Sequence, residues 1–229
     1  MATYVLIHGA YQGAWIWKPV VARLREGGHV AHALTLDGCA ERATQLRRGI
    51  TVGTHAREVA GLLFYEDLRD VALVGTSSGG MVLVKAAEAA RDRISRVAFV
   101  DALALLPGER VDAIVKRPRP PEVTPLTIGP SKVDVEERLF ADLDQDTRQW
   151  ALARYSPHPI AALEAPMEPT RFWDQPWRAT VIRCRRAANP PEAHQRRTAE
   201  KLGAAWHELD TGHYPMLSEP EALTRLLLD

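Results

Sequence analysis

Residues 70–90 read DVALVGTSSGGMVLVKAAEAA, and the fold is decided here. Residues 71–75 are a short, continuous apolar run, the pattern of a strand buried on both faces. From residue 79 to 91 the apolar side chains recur at helical spacing. Between the two lies Gly75-x-Ser77-x-Gly79. That string alone is common by chance, but a strand running in and a helix running out is the setting a nucleophile elbow requires. The turn holds its central residue in a strained backbone conformation and needs small neighbours, because the helix start packs on the strand. The Ser77 hydroxyl then stands clear of the sheet, beside a helix N-terminus that favours developing negative charge. The plainer alternative is a Gly-Ser turn that only joins strand to helix.

Working outward, strands are expected over residues 3–8, 29–36, 97–100, 180–184 and 206–209. Helices are expected over 14–26, 52–65, 191–202 and 219–228. Apolar strands alternating with helices give an α/β doubly wound, mainly parallel sheet of six strands, with helices on both faces and right-handed crossovers. Residues 107–176 break the rhythm. They show no strand pattern, are Pro-rich at 118–130 and read as helical at 133–143 and 146–155. So long a strandless stretch cannot be one loop of a compact domain. It reads as an inserted helical cap, with residues 1–106 and 177–229 as the core. Few cap contacts are expected to belong to that core, which would leave the cap more mobile than the sheet.

Composition excludes several classes. The 29 basic and 29 acidic residues balance, so neither nucleic acid nor an acidic membrane is expected as partner. Cys39 and Cys184 have no metal or redox spacing. No apolar run is long enough to span a bilayer, and the N-terminus enters a strand without a leader pattern. A cytoplasmic protein acting on a small molecule is the expectation, with a homodimer left open.

Two further motifs complete a candidate site. His8-Gly9-Ala10 follows the first strand, where an oxyanion hole takes its second amide. Ala10 is the expected donor, beside the amide of Ser78 that follows the nucleophile. His8 reads as a buried brace for that loop, not as a base. Near the C-terminus, Asp210-Thr211-Gly212-His213 places a histidine on the loop after the last strand, within reach of a serine at the top of the sheet. Of the other histidines, five sit in strand or helix patterns, and His158, in the cap, could touch substrate.

With these motifs the chain resembles the α/β-hydrolase superfamily. Within it, it is similar to the branch of plant methylesterases, hydroxynitrile lyases and small bacterial esterases. The resemblance rests on VLIHGAYQGAWIW (5–17), DVALVGTSSGGMV (70–82), CRRAANPPEAHQR (184–196) and ELDTGHYPMLSEP (208–220). It implies Ser77 as nucleophile, His213 as base, and Ala10 with Ser78 as oxyanion donors, with no cofactor and no metal. Thr76 stands where the family usually has His, and Ser78 where it has a larger residue; both would border the substrate pocket.

One departure is larger. The family's motif spacing puts its triad acid at position 187, which is Ala187, and no carboxylate lies between Cys184 and Pro191. Three explanations compete. Asp101, ending the fourth strand, supplies the carboxylate, as in superfamily members whose acid has shifted to this strand. Alternatively, a substitution has removed an aspartate from position 187. Or the protein works as a dyad, or keeps the fold without hydrolysis. Asp101 is the reading we carry forward; Asp210 is read as fixing the turn of its own loop. Trp150, in the cap, is a candidate pocket wall, and the run Arg183, Arg185, Arg186 is read as facing solvent. The expected activity is hydrolysis of a small carboxylic ester or thioester through an acyl-enzyme. The alternatives are a lyase or acyl-transfer enzyme on the same scaffold, or a ligand-binding member without turnover.

Overall fold

In the computed structural model, which describes all 229 residues, every core strand divides its side chains between two apolar layers. β1 (Thr3–Ile7) sends Val5 and Ile7 to one layer and Tyr4 and Leu6 to the other. A 3-10 turn (Ala14–Trp17) leads into α1 (Lys18–Glu26), so the first expected helix divides in two. There follow β2 (Val30–Leu34), α2 (Val52–Tyr65), β3 (Val71–Ser77), α3 (Gly79–Ala89) and β4 (Ile94–Ala102). Thr51 caps α2, accepting from the Thr54 amide at 3.2 Å.

The insertion comes next. It holds α4 (Val111–Ile114), β5 (Glu122–Val123), β6 (Thr127–Gly129), α5 (Lys132–Asp134), α6 (Gln145–Leu152), β7 (His158–Pro159) and α7 (Ile160–Glu164). The chain then completes the sheet with β8 (Ala179–Cys184), α8 (Glu192–Leu202), β9 (Ala205–Leu209), α9 (Pro215–Ser218) and α10 (Pro220–Leu228).

The large sheet has the order β2-β1-β3-β4-β8-β9, with every pairing parallel. The chain leaves β1 toward one edge and returns to β3 on its other side. The carboxyl ends of β1 and β3 therefore flank a topological switch point, where ligands bind in such sheets. The loop carrying Gly9 and Ala10 and the turn carrying Ser77 both lie there.

Three expectations about the insertion need correction. It is not strandless: β5, β6 and β7 form a small antiparallel sheet. These strands are two or three residues long, too short to show a period. Residues 133–143 are not one helix either, because a π-helical turn (Val135–Leu139) follows α5. Nor are core contacts few. Val135, Phe140, Leu143 and Ala151 are buried in the layer that holds α1 and α10, and Ile128, Leu163, Met167 and Phe172 in the layer of α2 and α3. Phe140 stacks edge-on against Tyr214, the residue after His213, with ring centroids 4.9 Å apart. The insertion's large apolar side chains sit too far apart in sequence to look like a core stripe, but the fold gathers them.

Candidate active site

β3 enters α3 through a turn in which Ser77 has φ 51°. A non-glycine residue holds this left-handed conformation only where its surroundings impose it. The small neighbours are a steric necessity. A Cβ on Gly75 would lie 2.8 Å from the Gly79 carbonyl oxygen, and one on Gly79 would lie 2.5 Å from that of His8. The Leu103 amide donates to the Ser77 carbonyl at 2.9 Å and ties the elbow to the end of β4.

The loop after β1 presses on this elbow. A Cβ on Gly9 would meet the Ser77 Cβ at 2.5 Å, so only glycine lets the backbone come this close. His8 braces the loop: its Nδ1 donates to the Gly9 carbonyl at 2.7 Å, and its Nε2 accepts from the Leu36 amide at 3.0 Å. That pattern is a neutral imidazole with both nitrogens engaged. The Ala10 and Ser78 amides have no protein acceptor. Both residues line, with Ser77 and His213, a cavity of about 300 Å³.

His213 follows β9 on a loop. Its Nδ1 lies 2.6 Å from Oδ2 of Asp101. Asp101 is fully buried, and its φ of 44° marks the register shift near the end of β4, where Thr76 pairs with Val100 and Ser77 with Ala102. Its other oxygen accepts from the Cys184 amide at 3.1 Å and from Gln195 Nε2 at 2.8 Å. Three donors thus offset the desolvation of one buried carboxylate. Ala187 also lines the cavity, its amide closing a turn onto the Cys184 carbonyl at 3.2 Å.

Sequence reading missed the side chains that hold this pair. Asp142, from the insertion, accepts from the Gly212 amide at 2.7 Å and the Thr211 hydroxyl at 3.3 Å. A Cβ on Gly212 would lie 2.5 Å from that carboxylate, so the glycine before His213 was the one visible trace of it. Asp210, expected to fix this turn, is instead exposed and reaches Arg185 at 3.4 Å. Gln195 stood in the quoted stretch 184–196 with no role of its own, yet its amide also binds the Pro190 carbonyl at 3.0 Å and so links the loop after β8 to Asp101.

Three expected substrate contacts lie outside the cavity. Thr76 is buried in β3, continuing the face of Ala72 and Val74. Trp150 packs edge-on against Trp15, centroids 5.3 Å apart, and lines a shallow depression with Lys18 and Leu217. His158 is buried beside Cys39 and His55. The arginine run is split as well. Arg183 is half-buried and pairs with Glu192 and Glu208; Arg185 and Arg186 are exposed as expected, Arg185 pairing with Asp210 and Arg186 also lining the cavity rim, its amide bonded to the Thr211 carbonyl at 3.1 Å.

The buried imidazoles make stability depend on pH. Burial pushes His8 and His194 down to about 4 and lowers His55 and His158 too. In the unfolded chain histidines take a proton near 6.5. Their contribution is therefore intact above that pH and is lost as pH falls toward 4, where the folded His8 and His194 begin to charge. At about 1.4 kcal/mol per pKa unit, His8 alone would remove on the order of 3 kcal/mol across this window. The urea midpoint should fall clearly between pH 7 and pH 5; a flat midpoint would show that these histidines are not held neutral.

Comparison with known proteins places this geometry. The sequence matches the alpha/beta hydrolase family over residues 4–226, and the chain belongs to that family. It is 33% identical over 178 residues to a carbendazim hydrolyzing esterase of Nocardioides sp. (strain SG-4G), covering 73% of each chain. It is 31% identical over 101 residues to esterase PIR7B of Oryza sativa subsp. japonica, 43% of this chain and 38% of that protein, so it spans well under half of the rice protein. Among solved structures it resembles an extracellular alpha/beta-hydrolase from a Paenibacillus species, with a TM-score of 0.84 and 20% identity over 100% of this chain and 98% of that one. No helix is long and apolar enough to cross a membrane.

Proposed function

We propose that this chain is a serine hydrolase that cleaves a small carboxylic ester or thioester through an acyl-enzyme on Ser77. The observation that carries the reading is the 2.6 Å contact of His213 Nδ1 with Asp101, on a cavity that His213 shares with the Ser77 elbow. Family membership and the esterases among its relatives support it.

The Ser77 hydroxyl attacks the carbonyl carbon while His213 Nε2 takes its proton. Asp101 accepts from Nδ1–H, which fixes the tautomer and balances the imidazolium that forms. The Ala10 and Ser78 amides receive the oxyanion. His213 then returns its proton to the leaving alcohol or thiol. Water, deprotonated by the same histidine, releases the acid. The insertion, with Leu163, Val111 and Val115 on the cavity wall, shapes the substrate.

A fluorophosphonate probe tests this. Stoichiometric labelling at Ser77, found by mass spectrometry and blocked by prior heat denaturation, is the expected result. A folded protein that stays unlabelled would leave the lyase and binding readings in its place.

A further inference from the structure

The cavity is unevenly charged. Lys116, Arg117, Arg119, Arg138 and Arg186 line it, against Asp134 and Asp142. Three of these cations already have partners. Arg138 holds Asp134 through two bonds of 3.1 and 2.6 Å, Arg119 reaches Glu137 at 2.9 Å, and Arg117 reaches Glu164 at 2.7 Å. Asp142 is occupied by the Thr211–Gly212 loop. Lys116 and Arg186 remain, and neither side chain has a protein acceptor.

These two belong to one rim. The Asn189 side chain clamps the Lys116 backbone in both directions, its Oδ1 accepting from the Lys116 amide at 3.2 Å and its Nδ2 donating to the Lys116 carbonyl at 3.0 Å. This fastens the start of the insertion to the loop after β8, the loop that carries Arg186. The residues between Arg186 and that clamp are Ala187 and Ala188, both on the cavity wall and with no charge to offset their neighbours.

We infer that Lys116 and Arg186 bind a carboxylate on the substrate, so that the preferred ester is an anionic half-ester with its charge remote from the scissile group. This rests on the esterase reading and adds a substrate class to it. Both cations are exposed to solvent at the cavity rim, so each contributes modestly, and their joint effect falls mainly on productive binding.

The test compares monomethyl adipate with its neutral terminal amide. At low ionic strength kcat/KM should favour the anionic ester by about tenfold, carried mainly by KM, and the preference should shrink with added salt. Lys116→Met and Arg186→Met should each reduce the ratio, and the double variant should bring it near one. Equal rates for the two esters, or a preference that survives the double variant, would overturn the inference while leaving the hydrolase intact. Calorimetric binding of both compounds to Ser77→Ala separates recognition from chemistry. Stronger binding of the anion supports the inference even where no ester is turned over, and equal binding overturns it.

Discussion

Replacing Ser77 with alanine leaves a folded protein that no longer turns over a short-chain aryl ester. The loss should exceed about 10⁴-fold, because a serine hydrolase without its nucleophile keeps only the part of catalysis due to binding and the oxyanion hole. The fold should be indifferent. Alanine keeps the Cβ that sits against Gly9 and bears the same φ of 51°. Ser77→Gly should be equally inactive and slightly more stable, since glycine adopts that φ without strain. Urea midpoints and initial rates on the same preparations check both halves. Turnover of Ser77→Ala within about tenfold of the parent would remove Ser77 as nucleophile.

The elbow could be read in the sequence because everything that makes it is local. The strand, the two glycines and the helix lie within some twenty residues, and each obeys a short-range rule. The six core strands were readable for the same reason. What could not be read depends on contacts between distant segments. Asp101 is carried forward as the acid from the resemblance, but it lies 112 residues from His213, and the sheet order β4-β8-β9 is what brings the two together. Asp142 lies 70 residues from the loop it holds, in a segment whose short strands and π-helical turn carry no clear period. Trp150 and His158 misled for the opposite reason: an aromatic or a histidine in a cap suggests a ligand, but the fold spends both on its own packing. Arg186 was read with its neighbours as solvent-facing. That reading holds for Arg185 and Arg186, which are exposed; the backbone bond to Thr211 also sets Arg186 at the rim of the cavity.

Asp101→Asn should cost nearly as much as losing the serine, about 10⁴-fold in kcat. The argument is one of hydrogen-bond direction. Oδ1 of Asp101 already accepts from the Cys184 amide and from Gln195, so an asparagine oriented to keep those two bonds must turn its NH₂ toward His213 Nδ1. Nδ1 then becomes an acceptor, the proton moves to Nε2, and the nitrogen that should take the serine's proton is already occupied. The amide also cannot balance the imidazolium. Ala187→Asp, by contrast, should change the rate little, since Nδ1 already has its carboxylate. The opposite outcome has a definite pattern. If position 187 is where the working acid belongs, Ala187→Asp raises the rate by orders of magnitude and Asp101→Asn is nearly silent. A protein that does not hydrolyse esters responds to neither. The double variant, Asp101→Asn with Ala187→Asp, asks whether the loop after β8 can still deliver an acid. Ala187 lines the same cavity as His213, but its turn is pinned to the Cys184 carbonyl, and Gln195 ties that loop to Asp101. An asparagine at 101 weakens that tie. Partial rescue in the double variant, with no gain in Ala187→Asp alone, would mean that the two positions compete for one nitrogen of His213 and that Asp101 holds it in this chain.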